Sequence, residues 1–228
     1  MRRPISRTVK SVVLLSGGLD SALNLALAAR YRAPVLALTF DYGQRAARPE
    51  VKAARSFAAF YGVDHRVLSL PWFREFVPRA MARPGATLPS RPGATEAIWV
   101  PNRNGVFVAV GAAVAEAVGA RALVAGFNAD EAADFPDNSP AFVAASNRSL
   151  RFSTRGRVRL VSYTLKYGKA AIVTKALARG VPLELIYPCY AEGPRPCGRC
   201  VSCRRTMAAL ADAGQGRLRT ALFGAPRG

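Results

Sequence analysis

Short, continuously apolar runs alternate along this chain with longer stretches in which apolar residues recur at helical spacing. Val12 to Leu15 is the first such run; it halts at Gly17 and Gly18, and a helical pattern follows through Arg30. Pro34 to Phe40 is a second run of strand length. The stretch Glu50 to Tyr61 then places Val51, Ala54, Phe57, Ala58 and Tyr61 on one helical face, and Arg66 to Leu70 predicts a third strand. Pro71 to Val100 carries five prolines and little periodicity, which is long for a connection and typical of lids and binding loops. Beyond it the pattern predicts an apolar helix over Val106 to Val118, a strand over Ala120 to Ala125 and a short helix over Ala141 to Leu150. A strand over Val158 to Val161, a helix over Ala170 to Arg179 and a C-terminal helix from Arg204 complete the series. Strands apolar throughout are buried on both faces, so the alternation predicts an α/β fold with a doubly wound parallel sheet. We expect an α/β domain over residues 1–183 and a small C-terminal subdomain over 184–228.

The polar residues cluster where such strands end, and in open α/β sheets ligands sit beyond the carboxyl ends of strands. After the first strand, Ser16-Gly17-Gly18-Leu19-Asp20-Ser21 reads as a phosphate loop. Two glycines let backbone N–H groups approach an oxyanion, two serines add hydroxyl donors, and the next helix points its positive end at the same place. It is neither the Gly-Lys-Ser/Thr P-loop nor the three-glycine dinucleotide fingerprint. The second strand ends in Asp41-Tyr42-Gly43-Gln44-Arg45, where Tyr42 or Gln44 is placed to meet nucleotide or substrate. Arg103 and Asn104 stand at a helix start, fit to orient a carboxylate or a purine edge, or to cap the helix. Four carboxylates, Asp130, Glu131, Asp134 and Asp137, follow the fourth strand of an acid-poor chain; Mg²⁺ binding, recognition of amino groups and positioning of ammonia all suit them. Lys169 opens a helix, where the macrodipole disfavours a cation, so a bound anion would explain it.

Half of the 228 residues are hydrophobic, enough for a full core. The basic stretch Met1 to Lys10 precedes an apolar run too short for a signal peptide, and no later run reaches the roughly 20 apolar residues of a spanning helix. We expect a cytoplasmic protein. The formal charge of +19 comes almost wholly from arginine, which favours polyanions; the arginines are spread along the chain with no run interleaved with aromatics. A single histidine, His65, rules out His-rich metal sites and points to a structural role at a strand start.

All four cysteines, Cys189, Cys197, Cys200 and Cys203, fall in one short stretch. Disulfides are disfavoured in the cytoplasm, and four thiolates closing a short loop match a tetrahedral, coordinatively closed structural zinc that fastens the following helix. An iron–sulfur cluster or a redox pair at Cys197-Gly198-Arg199-Cys200 is the weaker alternative.

Taken together, these motifs resemble one family. Ser-Gly-Gly-x-Asp-Ser after the first strand resembles the PP-loop, the pyrophosphatase loop of ATP-adenylating enzymes. With Asp41-Tyr42-Gly43-Gln44, Val100-Pro101-x-Arg103-Asn104, Pro136-Asp137, Lys169, and Cys189-Tyr190 followed by the three remaining cysteines, nearly the whole chain is similar to the 7-cyano-7-deazaguanine synthases of queuosine biosynthesis. The resemblance implies an ATP-dependent ligase. It would adenylate 7-carboxy-7-deazaguanine, let ammonia displace AMP to give the amide, then activate and dehydrate the amide to the nitrile. It implies ATP contacts at Leu15, Ser16, Gly17, Gly18, Leu19, Asp20, Ser21, Ala22 and Gln44, catalytic roles for Asp20, Lys169 and Asp137, and substrate contacts at Tyr42, Arg103, Asn104, Glu131, Phe135 and Asp137. ATP, Mg²⁺ and structural Zn²⁺ would be the cofactors, and the deazapurine and ammonia the partners. A homodimer and a nucleic-acid or protein acceptor remain open, and no membrane partner is expected. The chain departs from the family pattern where substrate should sit: Ala46 for a histidine, Pro49 for an acid, Asn102 for a glycine, Glu131 for an aspartate, Phe135 for a tyrosine, Asn138 for a cysteine, Ser139 for an arginine and Ala141 for a glutamate. A paralogue that adenylates another carboxylate, or joins a deazapurine to another acceptor such as a protein, is the alternative. An RNA-modifying thiolase of the same loop class would need a catalytic cysteine outside the quartet, and the chain has none.

Overall fold

The computed structural model describes residues 9–91, 93 and 96–224; the basic amino-terminal stretch lies outside them up to Thr8. Five strands, β1 (Lys10–Leu14), β2 (Ala33–Asp41), β3 (His65–Ser69), β4 (Ala122–Val124) and β5 (Arg159–Val161), form one sheet in the order β3-β2-β1-β4-β5. Every pairing is parallel. The helices are α1 (Leu19–Tyr31), α2 (Ala47–Phe60), α3 (Arg79–Ala82), α4 (Arg103–Ala117), α5 (Ala129–Ala132), α6 (Pro140–Ser153), α7 (Lys169–Leu177), α8 (Val201–Asp212) and α9 (Gly216–Phe223).

Alternate residues of each strand feed opposite faces, as the period of two demands. Val13, Leu15, Ala37 and Val124 join α1, α2, α7, α8 and α9 in one core, through Leu23, Phe57, Ile172, Leu210 and Leu222. Val12, Leu36, Leu38, Phe40, Leu123 and Leu160 point the other way, into α4, α6 and the long connection, through Val108, Leu150, Phe73 and Met81. The C-terminal helices therefore share the core of the first strands.

The structure lengthens several helices predicted from periodicity. Helix α2 starts at Ala47, ahead of Pro49, because a proline in the first turn withholds an N–H that has no intrahelical partner anyway. Helix α6 runs from Pro140 to Ser153, capped by the Ser139 hydroxyl, which accepts the Phe142 N–H at 3.1 Å. Strands β4 and β5 are only three residues long. The proline-rich connection is not structureless: 3₁₀ turns at Pro71–Phe76 and Glu96–Ile98 flank α3. Its apolar residues Phe73, Met81, Ile98 and Val100 are buried, and Arg45 ties it down with bonds from Nη1 to the Ala80 and Ala86 carbonyls.

Candidate active site

The order reverses at β1, and the crevice beyond its carboxyl end holds the main cavity. Gly17 there has φ 77, and a Cβ would lie 2.7 Å from the Ala53 side chain and 2.8 Å from the Glu50 carbonyl, so only glycine lets the loop rest on α2. Gly126 serves the same end from β4, where a Cβ would meet the Ser21 nitrogen at 2.8 Å. Helix α1 begins at Gly18 with no side-chain cap, which leaves first-turn N–H groups for an anion. The Ser16 and Ser21 hydroxyls lie 3.2 Å apart beside them.

Lys169 extends into this cavity from the start of α7. Its Nζ lies 2.6 Å from Asp20 Oδ2 and 2.9 Å from Glu131 Oε1, in an almost fully buried ion cluster. The macrodipole argument for a bound anion is thus corrected: two protein carboxylates already neutralise Lys169, and Asp130 caps the helix by accepting the Lys169 N–H at 2.7 Å. Burial works against the Lys169 charge, but the two carboxylates raise its pKa above the usual range. Burial pushes Asp20 up, against the pull of Lys169, whereas for Glu131 the attraction of Lys169 overcomes burial and lowers it. Asp20 Oδ1 is buried with no hydrogen-bond partner. The acidic loop after β4 divides its work: Asp130 caps, Glu131 binds Lys169, Asp134 pairs with Arg205, and Asp137 faces Arg103.

Arg103 sits beside the cluster. Burial opposes its charge, but Tyr42, Tyr190 and Asp137 around it hold the guanidinium above its ordinary range. Tyr42 makes an edge contact with Phe107, which stacks on Phe40 at 4.3 Å between centroids, giving the cavity an aromatic wall. A smaller neighbouring cavity is lined by Arg103, Glu131, Asp137, Asn138, Tyr190 and the parallel rings of Trp99 and Phe135, 6.0 Å apart. Asn138 Nδ2 donates to Asp137 Oδ1 at 3.1 Å and fixes that carboxylate. Asn102 has φ 53, which explains why a glycine suits its position and why asparagine is tolerated there.

The four Cys Sγ atoms lie within 4.8 Å of one another. Cys197 and Cys203 are 3.9 Å apart, close to the ~3.8 Å edge of a tetrahedron with ~2.3 Å metal–sulfur bonds. Backbone N–H groups of Ala191 and Cys197 point at the Cys189 sulfur, and those of Arg199 and Cys200 at the Cys197 sulfur, as thiolates require. This segment also reaches the phosphate loop, since the Tyr187 N–H donates to the Gly17 carbonyl at 2.9 Å.

Residues 10–214 match the family model described as "Queuosine biosynthesis protein QueC". The chain belongs to the QueC family. Among QueC relatives, the 7-cyano-7-deazaguanine synthase of Pelotomaculum thermopropionicum is 46% identical, with 90% of this chain and 98% of that one covered. The synthase of the same name from Bdellovibrio bacteriovorus is 42% identical over 92% and 96%, and that of Methanosarcina barkeri 37% over 90% and 95%.

Against this QueC background the predicted residues fall into groups. Leu15, Ser16, Gly18, Leu19, Asp20, Ser21, Tyr42, Arg103, Asn104, Glu131 and Lys169 line the main cavity; Phe135 and Asp137 line the smaller one. Gly17 rests on α2 and Ala22 lies in the core, both outside the two linings. Gln44 is corrected: it is buried and outside both linings. Its amide receives the Tyr42 N–H and donates to the Phe40 carbonyl and Glu50, so it braces the loop from behind. His65 is structural, bonded to Thr39 at 2.8 Å. Sequence reasoning missed Glu50, a cavity carboxyl pushed up to about 7 by burial, and Tyr190. Tyr190 stood next to Cys189 in the motif already singled out; Glu50 gave no signal beyond its place on a helical face.

Proposed function

We propose that this chain is an ATP-dependent ligase that makes 7-cyano-7-deazaguanine from 7-carboxy-7-deazaguanine and ammonia. The observation that carries the reading is the Asp20–Lys169–Glu131 cluster facing an uncapped phosphate loop, in a chain 46% identical to a protein named 7-cyano-7-deazaguanine synthase. A bare carboxylate has no leaving group, and the first step supplies one. A substrate carboxylate oxygen attacks the α-phosphorus of ATP and pyrophosphate leaves; ammonia then adds to the acyl carbon, loses a proton and expels AMP. In the second round the amide oxygen attacks the α-phosphorus of another ATP and pyrophosphate leaves; cleavage of the C–O bond to AMP with loss of two protons from nitrogen then leaves the nitrile.

The chain's residues divide this work. The Ser16–Ser21 loop and the amino end of α1 hold the pyrophosphate portion by fixed N–H and hydroxyl donors. Lys169 exchanges a carboxylate partner for the α-phosphoryl oxygens, on which negative charge grows at each adenylation. Arg103 and Asn104 orient the deazapurine carboxylate, Phe135 supplies a flat wall, and Asp137 accepts from ring N–H or amino groups. The unpartnered Asp20 Oδ1 fits Mg²⁺, a hard cation that takes carboxylate oxygens; Asp20 and Glu131 would hold it, and it would neutralise phosphate charge. The cysteine quartet fits Zn²⁺ as a closed structural site.

The test is incubation of the zinc-loaded protein with Mg-ATP, ammonium and 7-carboxy-7-deazaguanine, with mass spectrometry for AMP, amide and nitrile. AMP with nitrile is the expected result. Amide alone would mean a reaction stopped halfway, and absence of AMP would transfer the reading to a paralogue acting on another carboxylate.

A further inference from the structure

The opposite end of the sheet carries a surface that the ligase reading does not use. Arg148, Arg151 and Phe152 follow at i, i+3 and i+4, so they share one face of the last turns of α6, and Arg155 follows just beyond the helix end. Phe152 is 87% exposed, the most exposed of the large hydrophobic side chains among the described residues. Arg155, in the left-handed region at φ 49, turns the chain through Arg157 into edge strand β5. There the Arg159 N–H donates to the Arg121 carbonyl and the Arg121 N–H to the Lys10 carbonyl, so three exposed cations lie at the amino ends of β5, β4 and β1, with Arg159 in register with Ala122.

None of these cations forms an ion pair among the described residues, and no aspartate or glutamate occurs between Asp137 and Glu184. Spread arginine would only raise net charge; here Arg148 and Arg151 share a helical face with an exposed aromatic ring. The neighbouring exposed residues Ala141, Ala144, Ala145 and Ser149 keep the helix surface low, so an extended ligand can lie close. In the sequence Arg148, Arg151, Arg155, Arg157 and Arg159 bracket Phe152 in one stretch, but a phenylalanine between arginines is ordinary there; only the fold shows that Phe152 is left exposed.

We propose that this face binds single-stranded nucleic acid, with the arginines on phosphates and a base stacked on Phe152. Guanidinium groups match phosphate oxygens bidentately, and one exposed ring among cations suits one unstacked base. An anionic lipid surface fits less well, because a helix lying in a membrane interface presents a row of large apolar residues and this face presents a single one.

The test is fluorescence anisotropy of a labelled oligouridine of about 12 nucleotides with the intact protein, as a function of salt. Neutralising about five phosphates gives a log–log salt slope near −3.5, so affinity should fall about 100-fold between about 50 and 200 mM salt. Phe152→Ala should weaken binding about tenfold at unchanged slope, as loss of stacking does, while R151Q/R155Q should also flatten the slope by about 1.4. R55Q/R66Q removes the same charge from exposed positions on α2 and β3, at the far edge of the sheet, and should leave affinity within about twofold. AMP release should be the same in all three variants. Equal weakening by R55Q/R66Q would reduce the effect to net charge and overturn the proposal. So would a Phe152→Ala variant that binds like the parent, no binding at low salt, or binding to phosphatidylserine vesicles without binding to the oligonucleotide.

Discussion

The two ends of the same five strands treat charge in opposite ways. At the carboxyl ends Asp20, Asp41, Glu50, Asp130, Glu131, Asp134 and Asp137 gather, half of the fourteen acids in the chain; Lys169 is buried among them, and Arg205 is largely covered beside Asp134. At the amino ends Lys10, Arg121, Arg157 and Arg159 stand exposed without ion pairs among the described residues. Water screens the second set, so it costs the fold little. In the first set Asp20 and Glu131 are largely withdrawn from water and share the Lys169 cation, which makes that cluster a store of interactions that a substrate can trade.

Removing a support at the carboxyl end should have the largest effect. Cys203→Ser breaks the thiolate set; we expect metal content by atomic absorption to fall, Tm to drop by more than about 10 °C, and ATP binding by calorimetry to vanish, because Tyr187 no longer holds Gly17 in place. Unchanged ATP affinity would separate the cysteine site from the phosphate loop. Next, Lys169→Met should slow AMP formation by about 10³-fold and lower stability by about 3–5 kcal/mol, since two buried carboxylates lose their cation. Retention of more than a tenth of the rate would sink the role given to Lys169. Asp137→Asn should raise KM for the deazapurine by about 10–100-fold with a small change in kcat, because the carboxylate is assigned to ground-state recognition.

Glu50→Gln makes a smaller, pH-dependent change. The Glu50 carboxyl titrates near 7 in the folded chain, above its ordinary value, so its contribution to stability is complete below about pH 4.5 and is lost as pH rises through about 7. The variant should therefore melt a few degrees above the parent at pH 8, with the gap closing by about pH 4. Equal Tm differences at both pH values would contradict this. At the amino ends, Arg157→Gln should change Tm by less than about 2 °C and leave AMP release unaltered.

Much of the carboxyl end could be read from the sequence because its signals are local. Ser16 to Ser21 follows an apolar run, and four cysteines fall within one short stretch; backbone turns and ligand spacing act over a few residues. Lys169 was found for a partly mistaken reason, since a helix start cannot reveal that Asp20, 149 residues away in sequence, already neutralises it. Gln44 was misassigned because a motif gives position along the chain, whereas the direction of a side chain depends on packing against Glu50 and the Phe40 carbonyl. Glu50 and Phe152 were invisible as special residues. A carboxyl becomes unusual only through burial, and a phenylalanine only by failing to be buried.

The bond from the Tyr187 N–H to the Gly17 carbonyl also constrains how the protein comes into being. The phosphate loop is made well before the residue that braces it, which lies far along the chain. Contacts of such long sequence separation form late and slowly. A nascent chain therefore carries this loop unbraced until Tyr187 has been made, and a product cut short before Tyr187 would lack the bond that holds Gly17 in place.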